Sequence, residues 1–515
     1  MYFFPPAPNQ NCLIKANNLT TVSGFGLSVS LIFCLITICT FFSSPSFARA
    51  EIAPVETNAL QTEDTLQSLD KAFRDLGFVA YEYYNKNFIS EEIANIRNLE
   101  KHVRQLEANG DTFNAILQIK ANQNTINSAI NDQAVQYFIN LLLKHNAWKS
   151  ANSLYQQIKT NGDNFSNANV SFLYTRYFFE RQQWEQASQS FNGSFEDLAV
   201  KDAHFALLIQ GVSLQRLKRH RQAIKYYQRI PASSTFYPHA QLNIAIAYIR
   251  QGWWSDARLV INKLTTPELK TIQQTFSHDI SDRAKLVLAY ALFQQEYYRD
   301  SRNLFRNITL HSPYRIQALM GIGLTSSSQE DYIGALNAFS QLKKHPLQNA
   351  HLNSRTNLTV DESWLLEAYI YEKMNQGVTA STLYSEAIKY YQSRVNTLSS
   401  RIQIRQDETA AALKNPLFSD LETQNTLLQE VSNEFKENVP KYFLSNLSEI
   451  NQLSINVEEP VLKQQVLNLQ KKYYNQLQQL ILQSLEEHRV YLNSYLNQSR
   501  LGLARLYDNS LLNKH

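Results

Sequence analysis

The sequence predicts an all-α protein: a right-handed α-solenoid of stacked helix pairs, followed by a C-terminal region of long, coiled-coil-like helices. Three observations support this fold class. A small residue recurs seven times at intervals of 36, 36, 34, 44, 34 and 45 residues, and self-similarity near this period is typical of stacked helix pairs. Glycine is absent from 385–501, which favours long helices there. Strand signals are nearly absent along the chain.

The seven small residues define the repeat, because each is followed four positions later by an aromatic residue or Ile. Where two antiparallel helices cross most closely, only Gly, Ala or Ser lets the backbones approach, and a neighbouring ring fills the wedge to the next pair. We therefore expect both positions to be packed inside the stack. The small residues are Ala151, Ala187, Ala223, Ala257, Ser301, Ala335 and Ala380, and the residues that follow them are Tyr155, Phe191, Tyr227, Ile261, Phe305, Phe339 and Tyr384.

The unit around Ala223 also places Gly211 on its first helix, and Ala245 and Ala257 repeat these two positions 34 residues later. This pattern resembles the tetratricopeptide repeat family over about residues 134–390. The resemblance implies a solenoid that binds an extended or helical peptide on a concave face lined by the first helix of each pair. The two longest intervals place insertions near 265–280 and 346–360. Ala115 fits an eighth, eroded unit that acts as a cap.

The start of the chain predicts an export signal. Residues 16–48 carry no charge, residues 25–42 are strongly apolar, and Ala48-Arg49-Ala50 fits the small-x-small rule for cleavage after Ala50. Retention as an inner-membrane anchor facing the periplasm is the alternative, since 18 apolar residues can just span a bilayer. The three cysteines all precede residue 51, so the mature chain has no disulfide or Cys-based metal site. We expect a periplasmic protein.

Four regions follow from these patterns: a signal peptide at 1–50, a leader and helical cap at 51–133, the solenoid at 134–390 and a long-helix region at 391–515. Residues 51–65 are expected to be a flexible leader. Beyond 384, helices are predicted to about 414, at 419–437, at 441–453 and at 461–512. Apolar residues in the last helix follow a seam close to that of a coiled coil. Either the helix at 385–414 folds back over that seam, which is the simpler expectation, or a second copy forms a homodimer through it. The seam residues are Leu462, Val466, Leu469, Tyr473, Leu477 and Leu480.

No catalytic constellation is visible, so the chain is not expected to be an enzyme or to need a cofactor or metal. There is no nucleophile elbow, phosphate-binding glycine loop or zinc-protease motif. Glu362-Ser363 resembles a short motif of the lytic transglycosylases, but the sequence that should follow it is missing. His345 and His351 are too few ligands for a metal site. The net charge of +4 on 515 residues gives no electrostatic reason to expect nucleic acid. Contact with a membrane is expected only through an uncleaved signal segment.

The resemblance also predicts which residues contact a partner. Two rows along the first helices carry basic and aromatic side chains, and these suit an acidic segment through bidentate Arg contacts; ordinary solvated helix surface is the alternative. The predicted partner-binding residues are Lys144, Arg176, Arg216, Arg250, Tyr290, Tyr369 and Lys373.

Two hypotheses about function follow from this chain. One is a non-enzymatic scaffold of the bacterial cell envelope that holds protein partners of an assembly, secretion or transport machine. In that case apolar residues one turn further back leave room for a partner helix in the groove. Those residues are Leu208, Leu242, Leu286 and Leu365. The other hypothesis is an envelope polysaccharide or peptidoglycan factor, in which exposed aromatics such as Trp253 stack on sugar rings.

Overall fold

The computed structural model describes residues 53–88, 92–265, 277–344, 355–414, 428–429, 431, 435 and 439–512. Over these residues the protein is helical, with no β-strand, which confirms the predicted all-α solenoid. The helices of the N-terminal part are α1 (Ala53–Asn87), α2 (Ile96–Ala108), α3 (Thr112–Ala121) and α4 (Gln123–Ser128). The helix pairs of the solenoid are α5 (Gln133–Lys144) with α6 (Trp148–Asn161), α7 (Asn164–Glu180) with α8 (Trp184–Gln189), α9 (Val200–Arg216) with α10 (His220–Gln228), α11 (Tyr237–Arg250) with α12 (Trp254–Thr265), α13 (Ser277–Gln294) with α14 (Tyr298–Arg306), α15 (Arg315–Ser328) with α16 (Tyr332–Lys343), and α17 (Arg355–Lys373) with α18 (Gly377–Lys414). The C-terminal helices are α19 (Lys441–Asn456) and α20 (Pro460–Leu512).

The seven helix pairs are built around the predicted wedge. All seven small residues are fully buried, as are five of the seven residues that follow them; Tyr155 and Phe191 are half-buried. A Cβ atom added to Gly211 would lie 2.3 Å from Cε1 of Tyr227, and one added to Gly323 would lie 2.3 Å from Cε1 of Phe339. The rings thus lie directly on the first helix, where only glycine leaves enough room.

Each pair turns from its first to its second helix through one residue with a left-handed backbone, five positions before the small residue. The N–H after this residue donates to a carbonyl five residues back, as Arg219 does to Leu214 at 2.8 Å. This is the Schellman ending of a helix, in which glycine is the usual left-handed residue. Here glycine occupies it once in seven turns. The left-handed residues, with φ between 55° and 76°, are Asn146, Gln182, Lys218, Gly252, Glu296, Glu330 and Asn375.

The N-terminal region differs from the sequence prediction in one respect. The expected flexible leader at 51–65 is wrong, because helix α1 already begins at Ala53 and runs to Asn87. Leu66, Leu69 and Phe73 on this helix are buried against the rest of the protein. Helices α2 and α3 form the eroded pair predicted around Ala115, which is fully buried. Burial of this apolar stripe packs α1 against the rest of the protein from residue 66 onward.

The C-terminal region packs onto the solenoid as part of one molecule. Helix α18 runs through residue 390 without a break, so the predicted boundary there falls inside a helix. The predicted long helix is observed as α20, and α18 packs along it together with α1 and α19. All six predicted seam residues are at most 8% exposed within the single chain. The seam is therefore covered within one chain by the fold-back of α18 and by the N-terminal helix α1, which is the simpler of the two expectations; a homodimer stays a prediction.

Some predictions fall outside the described residues. These are the signal segment at 1–50, His345 and His351, most of the two insertions and most of the helix at 419–437. In the part of the chain that the structure describes, no helix has the length and apolarity that crossing a membrane requires.

Candidate functional site

The predicted basic row lies at the C-terminal end of each first helix, beside the left-handed turn. Lys144, Arg216, Arg250 and Lys373 are each the last residue of their helix. A cation in the last turn interacts favourably with the partial negative charge of the helix end, so the row has a structural use that needs no ligand. The contacts of each side chain show which members of the row could also bind a partner.

Two of the predicted cations already have carboxylate partners. The Nζ atom of Lys144 lies 3.1 Å from Oε1 of Glu107, and Nε of Arg176 lies 2.8 Å from Oε1 of Glu180. Both ion pairs are exposed, where such pairs contribute at most about 1 kcal/mol. An acidic partner would compete with a local carboxylate at either position.

The two predicted tyrosines are partly used inside the stack. The hydroxyl of Tyr290 donates to the backbone oxygen of Gln317 at 2.7 Å, and its ring meets Phe305 edge-on at 4.8 Å between centroids. Tyr369 is half-buried, and the exposed Nζ of Lys373 lies 5.4 Å from the centre of its ring. Tyr290 therefore holds two neighbouring pairs together, whereas Tyr369 and Lys373 form a cation–π contact at the last pair.

Arg216 and Arg250 form the strongest positive feature of the row. They belong to adjacent pairs, and the positive charge of Arg250 helps to lower the pKa of Arg216 to about 10, after the larger effect of burial. The Arg216 guanidinium carbon is 5.5 Å from the centre of the Trp184 ring. Arg250 reaches solvent, while protein atoms around its guanidinium lower its pKa as well. Among the described residues, no carboxylate forms a salt bridge with Arg250.

His220, at the start of α10, completes this basic cluster and was missed by the sequence reasoning. Burial, followed by the charges of Arg250 and Lys218, lowers its pKa to about 4, so the imidazole is neutral at pH 7. Its Nδ1 atom is buried without a hydrogen-bond partner among the described residues. The pattern of the repeat could have indicated it, because His220 stands where five other pairs carry Trp or Tyr. We refer to Arg216, Arg250 and His220 as the basic cluster.

The expectation of an open apolar groove is wrong for most of the leucines that suggested it. Leu208, Leu242 and Leu365 are 3%, 2% and 5% exposed, and Leu286 is half-buried. Their side chains fill the cores between neighbouring pairs. A partner helix could not reach the three buried leucines without separating the pairs.

The described residues hold no cluster of three His, Cys, Asp or Glu side chains with the arrangement of a metal site. The most perturbed acid is Glu362, whose pKa is raised to about 8 by burial. It lies on α17 inside the protein and is 2% exposed.

Comparison with known proteins supports the repeat assignment. The family model described as tetratricopeptide repeat matches residues 205–233, which include α10, Gly211 and the basic cluster members Arg216 and His220. No curated protein matches the chain. A solved structure titled "Circular tandem repeat protein with novel repeat topology and enhanced subunit contact surfaces" is 12% identical over 88% of this chain and 100% of that one. Its TM-score is 0.15, so it adds no argument about the fold. The family match and the seven wedge-packed helix pairs together make this chain a tetratricopeptide-like repeat protein.

Proposed function

We propose that this protein is a non-enzymatic scaffold of the bacterial cell envelope that binds an acidic segment of a protein partner at the basic cluster. Tetratricopeptide repeats generally mediate contacts between proteins, which gives the coarse function. The predicted export signal supports a periplasmic location after cleavage behind Ala50, or a periplasm-facing anchor if the segment is retained. The acidic ligand is the finer part of the proposal.

The observation that carries the proposal is the pair of neighbouring arginines on adjacent repeats. The positive charge of Arg250 lowers the pKa of Arg216, so the two guanidinium groups repel each other, and a carboxylate placed between them would remove that repulsion. Arginine binds carboxylates through two parallel hydrogen bonds, and partial burial strengthens such bonds. Arg250 has no salt bridge with a carboxylate among the described residues, whereas Lys144 and Arg176 lie beside their own carboxylates.

A labelled hexaglutamate peptide tests the ligand chemistry, with hexaglutamine as the uncharged probe. We expect fluorescence anisotropy to show that the protein binds hexaglutamate but not hexaglutamine, and that added salt weakens this binding. The double variant Arg216→Gln/Arg250→Gln should lose at least about tenfold in affinity, since a hydrogen bond to a charged group contributes about 1.5–3 kcal/mol. The matched control is Lys144→Gln/Arg176→Gln, which also removes two cations. Equal losses in both double variants would show only a general charge effect and would contradict the proposal.

The envelope location has its own test. We expect the chain expressed in a Gram-negative bacterium to be released with the periplasmic fraction and to begin at Glu51 by N-terminal sequencing. Recovery in the inner membrane with residues 1–50 attached would support the anchored form instead. Recovery of the full-length chain in the cytoplasm would contradict an envelope role.

A second candidate function, binding of an envelope glycan, is favoured by the exposure of Trp253. This side chain is 38% exposed at a turn position where five other pairs carry Ala, Gln, Arg or Asp. The fold therefore does not need an aromatic residue there. Tyr297, at the same position of the next pair, is 59% exposed. Loss of binding to purified peptidoglycan in Trp253→Ala, with unchanged thermal stability, would support this function; binding that Trp253→Ala leaves intact would argue against it.

A further inference from the structure

Helix α20 contacts the last helix pair directly and is joined to the first through α1 and α19, and a buried aspartate lies in each connection. At the first end, Asp70 of α1 is 1% exposed and accepts a hydrogen bond from Nδ2 of Asn446 at 2.8 Å. Nε of Arg181, at the end of α7, lies 3.4 Å from Oδ1 of Asp70. Asn446 also donates to the hydroxyl of Tyr473 on α20 at 3.2 Å. Asn146, in the turn of the first pair, donates to Asn446 at 2.8 Å. Helix α1, the turn of the first pair and the long helix α20 thus meet in one polar network.

At the other end, Asp361 of α17 is fully buried and holds α18 and α20 together. Its Oδ2 atom lies 2.9 Å from the guanidinium of Arg394 and 3.2 Å from Nε2 of His488. The hydroxyl of Tyr391 donates to the backbone oxygen of Asp361 at 2.6 Å. Removing one partner from such a buried network leaves other polar groups unsatisfied, which is costly. The last pair is therefore fixed to the long helix by a buried network of polar side chains.

The last turns of α20 take the place of a further repeat. Phe305 of the fifth pair packs on Gly321, which belongs to the first helix of the next pair. Tyr384 of the seventh pair packs in the same way on Gly502 of α20, where an added Cβ atom would lie 2.4 Å from its Cζ atom. Arg505 adds two 3.1 Å hydrogen bonds to Glu372. The stack thus ends against its own C-terminal helix.

The two contacts lie on one uninterrupted helix. Tyr473 and Gly502 are separated by roughly 44 Å at 1.5 Å per residue, and 461–501 contains neither Gly nor Pro. In an ordinary solenoid each repeat contacts only its neighbours, so small changes at each interface add up to a large change in curvature. A stiff helix attached at both ends opposes that change.

We propose that α20 is a brace that holds the first and last repeats at a fixed separation and so sets the curvature of the solenoid. The brace would select partners by length. A short acidic segment that contacts only the basic cluster needs two adjacent repeats, whereas a segment that spans many repeats needs the curvature that α20 maintains. This last consequence depends on the proposed function, while the brace itself does not.

The distance between the end repeats tests the brace without any ligand. A chain that begins at Glu51 contains no cysteine, so Asn161→Cys in the first pair and Thr379→Cys in the seventh provide two exposed sites for spin labels. We expect one narrow distance distribution by pulsed electron paramagnetic resonance. Gly502→Ala should broaden it, because the added methyl group displaces Tyr384. Gly377→Ala is the matched control, since its Cβ atom would meet nothing nearer than Leu506 at 4.0 Å.

Gln479→Pro provides a second way to break the brace, between its two attachments. Gln479 is exposed, so its loss removes little packing, whereas proline interrupts the helix. The proposal would be overturned if Gly502→Ala and Gln479→Pro both retained their helix content and both gave distance distributions as narrow as that of the parent chain. Binding of acidic peptides is measured in the same two variants. Their affinity for hexaglutamate should equal that of the parent chain, whereas their affinity for a 24-residue acidic peptide should fall at least threefold. Equal effects on both peptides would refute selection by length, and a lack of binding to either in the parent chain would refute only the proposed function.

Discussion

Replacement of Gly323 by alanine tests the wedge that builds every repeat. In an open helix this change would stabilise the protein by about 1 kcal/mol, because alanine has the higher helix propensity. Here the new Cβ atom would lie 2.3 Å from Cε1 and 2.7 Å from Cζ of Phe339. The ring is fully buried, so it must shift by about 1 Å within a packed core, and overpacking of this kind costs about 1–3 kcal/mol. We expect a net loss of up to about 2 kcal/mol, confined to the sixth pair and its neighbours.

Hydrogen exchange with mass spectrometry is the suitable assay, because a long repeat array need not unfold in one step. Peptides from α15 and α16 should exchange faster in Gly323→Ala. The control is Gly77→Ala in α1, whose Cβ atom would meet Asn146 and Tyr81 at 3.7 and 3.9 Å, which is ordinary contact. That variant should gain protection. Gly323→Ala/Phe339→Leu should lose less than the sum of the single changes. The wedge would be refuted if the losses of protection in the double variant were additive, or if Gly323→Ala gained protection from exchange.

Three further predictions concern stability, and denaturant midpoints check each of them. Gly252→Ala should lower stability by about 1 kcal/mol because of its left-handed φ of 76°, whereas Lys218→Gly, at φ 62°, should be neutral or stabilising; equal effects would count against a cost of the left-handed turn. Burial raises the pKa of Glu362 to about 8, so the unfolded chain loses this proton first and stability should fall as pH rises from about 4.5 to 8; Glu362→Gln should reduce that fall. Burial, and then the charge of Arg283, lowers the pKa of His239 to about 4, so stability should fall as pH drops from about 6.5 to 4, less so in His239→Gln. Unchanged slopes in either variant would contradict these assignments.

The repeat could be predicted from sequence because its determinants are local. A small residue and a ring four positions later lie on one helical face, so their spacing reveals the contact before any coordinates are known. The positions of Ala223 and Tyr227 were both correct for this reason. The left-handed turns were not predicted, because Lys218 and Glu330 give no sign of the conformation that glycine alone would have suggested.

Closure of the molecule could not be predicted because it depends on contacts between residues far apart in sequence. Asp70 meets Asn446, and Tyr384 meets Gly502, across separations that carry no periodic signal. The apolar seam of α20 predicted a cover, and the fold-back of the helix at 385–414 was one of the two expected, but the contribution of α1 was not predicted. The basic cluster was half predicted: the row gave Arg216 and Arg250, but proximity between repeats, which brings in His220, is visible only in three dimensions.

The packing of Tyr384 on Gly502 links the number of repeats to the length of α20. An inserted helix pair would move the end of the stack by roughly one helix spacing of 8–10 Å, and Gly502 would then miss its ring. Compensation would need about six additional residues in α20, at 1.5 Å each, and these would rotate the helix face as well. Gain or loss of a single unit, a common route of divergence in solenoids, should therefore be suppressed in this chain unless the final helix changes with it.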